Sequence, residues 1–259
     1  MRDATGVALA LAGRPRRIVS LIPSTTETLC ALGLADALVG ITAYCVEPRD
    51  VVRSKTRVGG TKDPDLAKIR GLAPDLVIAN VEENLRAHVE ALRAWGIPVW
   101  VTYPRTVAEG IGHVRELGEL TGTGARAAAI VGELEPLYER VRRESAERAA
   151  VRVFYPIWRE PYMTIGRDTY IHDVLAVCGG DNVFGDRERY PTVTLEEVAA
   201  RRPEVVLLPD EPYRFRPAHV AEFAAVGARR VLLVDGKPFS WHGPRIAEAL
   251  RTVPALLAG

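Results

Sequence analysis

Leu66–Glu82 reads LAKIRGLAPDLVIANVE and Leu195–Glu211 reads LEEVAARRPEVVLLPDE, and the second stretch follows the first at one constant offset (195 − 66 = 129). Leu66 pairs with Leu195, Ile69 with Val198, Pro74 with Pro203, Asp75 with Glu204, Val77 with Val206 and Glu82 with Glu211. Each copy runs helix, proline, strand, acid. The helical part spaces its apolar residues three apart, and the strand is a short aliphatic run of the kind that is buried on both faces. A chain that builds one unit twice is expected to form two similar lobes, with a ligand cleft between them.

The same alternation extends outward from both copies. RRIVSLIP from Arg16 is a strand, and Ser24-Thr25-Thr26-Glu27 has the spacing of a capping box, which predicts a helix starting at Ser24 and running through LCALGL to Gly33. DALVGIT is a second strand; after the first copy come helix LRAHVEALRAWG and strand PVWVTYP. In the second half, VRVFYPI is a strand and TYIHDVLAVCGG a helix. Beyond the second copy lie helix VAEFAAVG, strand RVLLVDG and helix PRIAEALRTVPALL. Strands alternating with helices predict an α/β fold of two doubly wound lobes with parallel sheets. Gly33–Gly40 has its echo in Gly180–Gly185, so the repeat covers most of each lobe.

Between the halves, Gly124–Ala149 consists of helix formers with an apolar stripe at Ala127, Ile130, Val131, Leu134, Leu137, Tyr138 and Val141. A helix of about 25 residues is roughly 38 Å long, and Pro136 is a point where it can kink. The expected organisation is an N-terminal lobe over 1–120, a connecting helix over 121–150 and a C-terminal lobe over 151–259. A stiff helical connection implies small rocking of the lobes rather than wide closure.

Composition narrows the function classes. The chain has 259 residues, 47% of them hydrophobic, and a formal charge of +1, so there is no basic field to attract nucleic acid or anionic lipid. No segment approaches the roughly 18 apolar residues of a membrane span, which argues against direct membrane insertion. The N-terminal residues lack a signal-peptide core and read as a turn and a strand. The expected location is the cell envelope or periplasm where a leader has been removed, and the cytoplasm otherwise. Cys30, Cys45 and Cys178 form no CxxC and read as buried thiols. His88, His113, His172, His219 and His242 show no metal-ligand spacing. No G-x-S-x-G, Walker or GxGxxG motif names a catalytic group, so no enzyme is predicted.

Several segments, in this order, resemble the helical-backbone metal-receptor family of ABC-importer binding proteins for cobalamin, haem and iron-siderophore complexes: RIVSLIPSTTE, PDLVIA, LRAWGIPVW, PYMTIG, VLAVCGGDNVF, VTLEEVAARRPEVVLL and GPRIAEAL. PYMTIG and AVCGGDNVF are most similar to the cobalamin-binding members. The resemblance implies a monomeric periplasmic binding protein that carries cobalamin, haem or a ferric siderophore as transported ligand, with no catalytic cofactor, to an ABC permease. It also implies one docking acid on each lobe: Glu211 on the second, and Glu82 or Glu83 on the first, where the family position falls nearest Arg86. Cys178 matches a family half-cystine whose partner position is Pro254 here. A tryptophan expected between Val58 and Lys62 is replaced by Gly59-Gly60-Thr61.

A flat or ring-shaped ligand calls for aromatic walls and a few orienting polar groups, and the carboxyl ends of parallel strands are where a doubly wound sheet holds ligands. Tyr44, Tyr103, Trp158, Tyr162, Phe239 and Trp241 fall at such ends, and Tyr44 and Tyr162 align with aromatic pocket positions of the cobalamin binders. Arg105, Arg159, Arg189 and Arg245 are candidates to pair with acidic groups of a ligand. His242, in SWHGPR, is a candidate axial ligand or a hydrogen-bonding loop residue. Two other readings stand beside this one: an intracellular chelate-handling protein or enzyme on the same fold, and a receptor for a free metal ion.

Overall fold

Both copies of the repeat lie inside parallel sheets. The computed structural model describes residues 1–259, which divide into two units. The first comprises Met1–Pro104, Gly110–Gly132 and His242–Pro244; the second comprises Arg105–Glu109, Glu133–Trp241 and Arg245–Gly259.

In the first unit the order is β1 (Ile18–Ser20), α1 (Pro23–Ala31), β2 (Leu38–Ile41), α2 (Arg49–Val52), β3 (Thr56–Arg57), α3 (Leu66–Gly71), β4 (Leu76–Asn80), α4 (Arg86–Ala94) and β5 (Val99–Thr102). The sheet runs β3-β2-β1-β4-β5 with every pairing parallel. Every residue of β1, β4 and β5 is buried, as expected of parallel strands covered on both faces. Val19, Val77, Val99 and Val101 share one core with Ile69 of α3 and Leu92 of α4. Two longer helices follow, α5 (Val107–Leu120) and α6 (Gly124–Ala146), and the division between units falls within each of them.

The second unit contains β6 (Val151–Phe154), β7 (Pro156–Trp158), β8 (Met163–Thr164), α7 (Tyr170–Val177), β9 (Gly180–Asn182), α8 (Leu195–Ala200), β10 (Val205–Pro209), α9 (Pro217–Ala224), β11 (Arg230–Val234), α10 (Lys237–Ser240) and α11 (Ile246–Ala258). Its parallel sheet, β11-β10-β6-β9, matches β5-β4-β1-β2 strand for strand. Strands β7 and β8 form a separate antiparallel pair.

The repeat is preserved down to its hydrogen bonds. Asp65 caps α3 by accepting from the Lys68 N–H, and Thr194 caps α8 by accepting from the Glu197 N–H, at matching positions. Both helices end in a residue with positive φ, Ala73 at 44° and Arg202 at 48°. The carbonyls there receive an arginine from the first strand of each sheet: Arg17 donates to Leu72 and Ala73 O, and Arg152 to Arg201 and Arg202 O. Asp75 and Glu204 in turn accept the backbone N–H groups of those arginines.

Four local expectations are corrected. α1 begins at Pro23, with Ile22 as an N-cap that makes no side-chain bond; proline is favoured at the first helical position, so Ser24 lies inside the first turn and is not a capping residue. VRVFYPI is split at Tyr155, because Pro156 has no N–H for the ladder and β6 pairs with β10 only through Val153 and Phe154. The connecting helix stops at Ala146 rather than Ala149. α5 was not anticipated.

Candidate functional site

At the carboxyl end of the first unit's sheet, the turn after β2 presents Tyr44 with 61% of its surface exposed. The turn is pinned from beneath. Arg57 Nη1 donates to the carbonyls of Thr42 at 2.8 Å and Cys45 at 2.7 Å, and the buried Cys45 thiol sits 3.1 Å from Thr26 Oγ1 and 3.2 Å from Thr42 Oγ1. Burial raises that thiol's pKa, so it acts as a packed, protonated group rather than a nucleophile. Gly60 lies close under this turn: a Cβ there would stand 2.1 Å from Asp63 Oδ1 and 3.4 Å from the Tyr44 ring.

The neighbouring loop after β4 is tied to itself. Asn80 Oδ1 accepts from the N–H groups of Glu82 and Glu83, and Asn84 Nδ2 donates to Thr61 O at 2.9 Å and Leu21 O at 3.3 Å. Lys62 Nζ donates to the Glu82 carbonyl. Glu82 is half-buried; Glu83 is exposed as a residue, yet burial around its carboxyl raises its pKa, with the Lys62 charge opposing that. Val46, Val81 and Leu85 are exposed at this same end. Tyr103, just past β5, is half-buried.

His242 is buried in the first unit, its Nε2 3.3 Å from Ser24 Oγ and its ring edge-on to His113 at 5.0 Å. Burial, with the His113 charge adding to it, holds its pKa well below the ordinary value, so the ring is neutral near pH 7. Gly243, at φ 96°, lets this loop lie on α1: a Cβ would stand 2.1 Å from Thr28 Oγ1. His242 is thus a hydrogen-bonding loop residue, and no trio of His, Cys, Asp and Glu side chains converges as a metal site.

In the second unit, Trp158 ends β7 with 44% of its surface exposed, edge-on to Tyr213 at 5.6 Å. Beside it, Arg159 Nε donates to the Glu222 carboxylate at 3.1 and 3.3 Å, and Nη1 pairs with Glu160. The Tyr162 hydroxyl donates to the same Glu222 carboxylate, and the Tyr162 ring lies edge-on to Phe223. Bonding to Glu222 raises the Arg159 pKa, keeping the guanidinium charged. Phe223 is buried in a core with Phe154, Phe184 and Phe215, which sets the position of α9 and so of Glu222.

The remaining nominated residues are distributed differently. Arg105 is exposed, and its N–H donates to Glu109. Arg189, at φ 58°, is paired with Asp168 and lies over Tyr190. Arg245 lies over the Trp241 ring and donates to Glu248 at 2.8 Å. Phe239 and Trp241 are buried, Phe239 against Tyr155 at 5.2 Å. Glu211 is half-buried and turned inward: its Oε1 accepts from Ser240 Oγ at 2.9 Å and Trp241 Nε1 at 2.6 Å, and burial raises its pKa. Near the ends of β10 and β11 an open hollow of about 580 Å³ is lined by Leu208, Phe215, Arg216 and Leu233 among others, and by none of the nominated residues. Sequence reading missed Tyr213 and Glu222. Tyr213 could have been found as an aromatic in the loop after β10; Glu222 carries no such signal, being one more acid on a surface helix.

Comparison with known proteins gives a consistent result. The family described as periplasmic binding protein matches residues 18–228. A vitamin B12-binding protein of Vibrio cholerae serotype O1 is 27% identical over 242 residues, covering 92% of this chain and 87% of that protein. The crystal structure of the periplasmic vitamin B12 binding protein of Vibrio cholerae superposes with a TM-score of 0.80 at 27% identity, covering 94% of this chain and 97% of that one. A periplasmic heme binding protein from Pseudomonas aeruginosa, 23% identical, shares the fold with a TM-score of 0.83 over 94% of this chain and 92% of its own.

Proposed function

The chain belongs to the periplasmic binding protein family, whose members are solute-binding proteins of ABC importers and not enzymes, and from that premise we propose that it captures a metal chelate of the cobalamin, haem or ferric siderophore class and delivers it to a permease. The observation that carries the reading is a shared feature of the two units: each exposes a large aromatic at or just past the carboxyl end of a strand, Tyr44 after β2 in the first and Trp158 as the last residue of β7 in the second. Exposed aromatic faces suit the flat surface of a macrocyclic chelate. Tyr103 and Tyr162, both half-buried, are further aromatic candidates in their own units. Phe239 and Trp241 are buried in the second unit, Phe239 against Tyr155 and Trp241 against Arg245 and Glu211, and His242 holds a loop in place rather than a metal.

Docking onto the permease is assigned to Glu83 in the first unit, the more exposed of the two acids there, and to Glu211 in the second through whatever of its carboxylate Ser240 and Trp241 leave accessible. Such a chain works outside the cytoplasmic membrane, and no helix is long and apolar enough to cross one. The test is a titration of the purified chain with cyanocobalamin, haemin and a ferric hydroxamate, followed by tryptophan fluorescence. Saturable quenching by at least one is expected, and Trp158→Ala should weaken it. Absence of quenching by all three contradicts the reading.

A further inference from the structure

Resting on that reading, we infer that Glu222 is a specificity residue: by engaging both Arg159 and the Tyr162 hydroxyl, it gives the second unit a ligand-facing surface that takes a chelate with an uncharged, amide-bearing rim in preference to one bearing free carboxylates.

The charge around Arg159 carries the argument. Its guanidinium meets two carboxylates, Glu222 through Nε and Glu160 through Nη1, so the local sum is one positive and two negative charges, or −1. Arg159 and Glu222 are both largely shielded, with side-chain exposures of 27% and 23%, and partial burial strengthens the attraction. A ligand carboxylate would have to displace Glu222 and leave it beside Glu160, two like charges at one site. A ligand amide meets no such obstacle, because its N–H groups can donate to the carboxylate oxygens that Arg159 and Tyr162 leave open. Two other arginines that could greet an anion are also engaged within this unit, Arg189 with Asp168 and Arg245 with Glu248. Trp158, the residue before Arg159, keeps 44% of its surface exposed. Glu222 acts as a positioning residue as well: one carboxylate on α9 holds β7's Arg159 extension and the Tyr162 ring in a single arrangement.

The test compares two flat macrocyclic chelates of different rim chemistry, cyanocobalamin with amide side chains and haemin with two carboxylates, on the full chain. The wild-type chain should bind cyanocobalamin more tightly. Glu222→Gln keeps the size and the hydrogen bond from Tyr162 but removes one of the two carboxylates facing Arg159, taking the local sum from −1 to 0 with Glu160 still paired, and it should shift the ratio of dissociation constants toward haemin by about tenfold, the worth of one gained charge-assisted hydrogen bond. The haemin affinity of this variant should also become salt-dependent. Adding Arg159→Gln should return the ratio toward the wild-type value, a reversal that loss of structure would not give. Tighter binding of haemin by the wild-type chain, or a ratio that Glu222→Gln leaves unchanged, overturns the inference while leaving the chelate-binding reading intact. Binding of a ferric hydroxamate alone overturns the inference and spares the chelate-binding reading; binding of none of the three chelates overturns both.

Discussion

The last strands of the two sheets, β5 and β11, hold matching places and live in different surroundings. β5 is buried throughout, and its edge is closed by the N-terminal turn: Ala4 N–H donates to Val101 O at 2.9 Å, Asp3 Oδ2 accepts from Val101 N–H at 3.2 Å, and Arg93 pairs with Asp3. β11 is at least partly exposed at every residue, with Leu233 open beside the 580 Å³ hollow. The loops after β4 and β10 differ as well. Asn80 and Asn84 tie the first loop to its own backbone and to Thr61, whereas Glu211 of the second is drawn inward onto Ser240 and Trp241. The duplicated sequence thus specifies the strands, the caps and the arginine clamps, while unduplicated segments set the edges and loops. Those segments, the N-terminal turn in one unit and the β7–β8 hairpin in the other, are where the two units acquire separate roles.

The comparison breaks most easily in the core. Ile69 and Val198 occupy one repeat position and are both fully buried, so Ile69→Ala should cost about 2–5 kcal/mol and Val198→Ala about 2 kcal/mol in denaturant unfolding. A near-neutral result at one of them would show that the two cores are not equivalent.

Acid should weaken the first unit more than the second, because the deepest depression is that of His242. His242 has its folded pKa depressed by burial, so its contribution is present above the ordinary value of 6.5 and is lost as pH falls, at up to about 1.4 kcal/mol per pH unit. Glu211 has its folded pKa raised, so its contribution is present at low pH and is lost as pH rises through the folded value. Glu83, raised by burial, works against His242 in the first unit; in the second, Asp173, raised by burial, adds to Glu211, and His172, depressed by burial, works against both. Hydrogen exchange resolved by unit between pH 7.5 and about 5.5 should show the first unit weakening more than the second. His242→Gln should remove that difference.

The caps come next: Asp65→Ala and Thr194→Ala should each cost about 1 kcal/mol. Smallest is relief of the positive-φ positions, where Ala73→Gly and Arg202→Gly should each stabilise by about 0.5 kcal/mol, the steric gain less the entropic cost of glycine. A loss at Arg202 alone would show that its side chain has a role that Ala73 lacks.

Much of this fold was legible because its signals are local. An N-cap, a helical period and an aliphatic strand sit within 15 or so residues of sequence, and repetition at a fixed offset read them twice. The start of α1 was misread because two local signals compete, and Pro23 outweighs the Ser24–Glu27 spacing. Candidate ligand residues were legible only as types at strand ends. Tyr44 and Trp158 are open, but Phe239, Trp241 and His242 are buried, and nothing local separates these cases. Glu222 was illegible because its significance comes from Arg159, which lies 63 residues away in sequence.

Equilibrium dialysis of the purified chain against cyanocobalamin, haemin and a ferric hydroxamate tests the central claim most directly. One equivalent of at least one chelate retained per chain, and lost when Tyr44 and Trp158 are both replaced by alanine, is the predicted result. Retention of none of the three would contradict it.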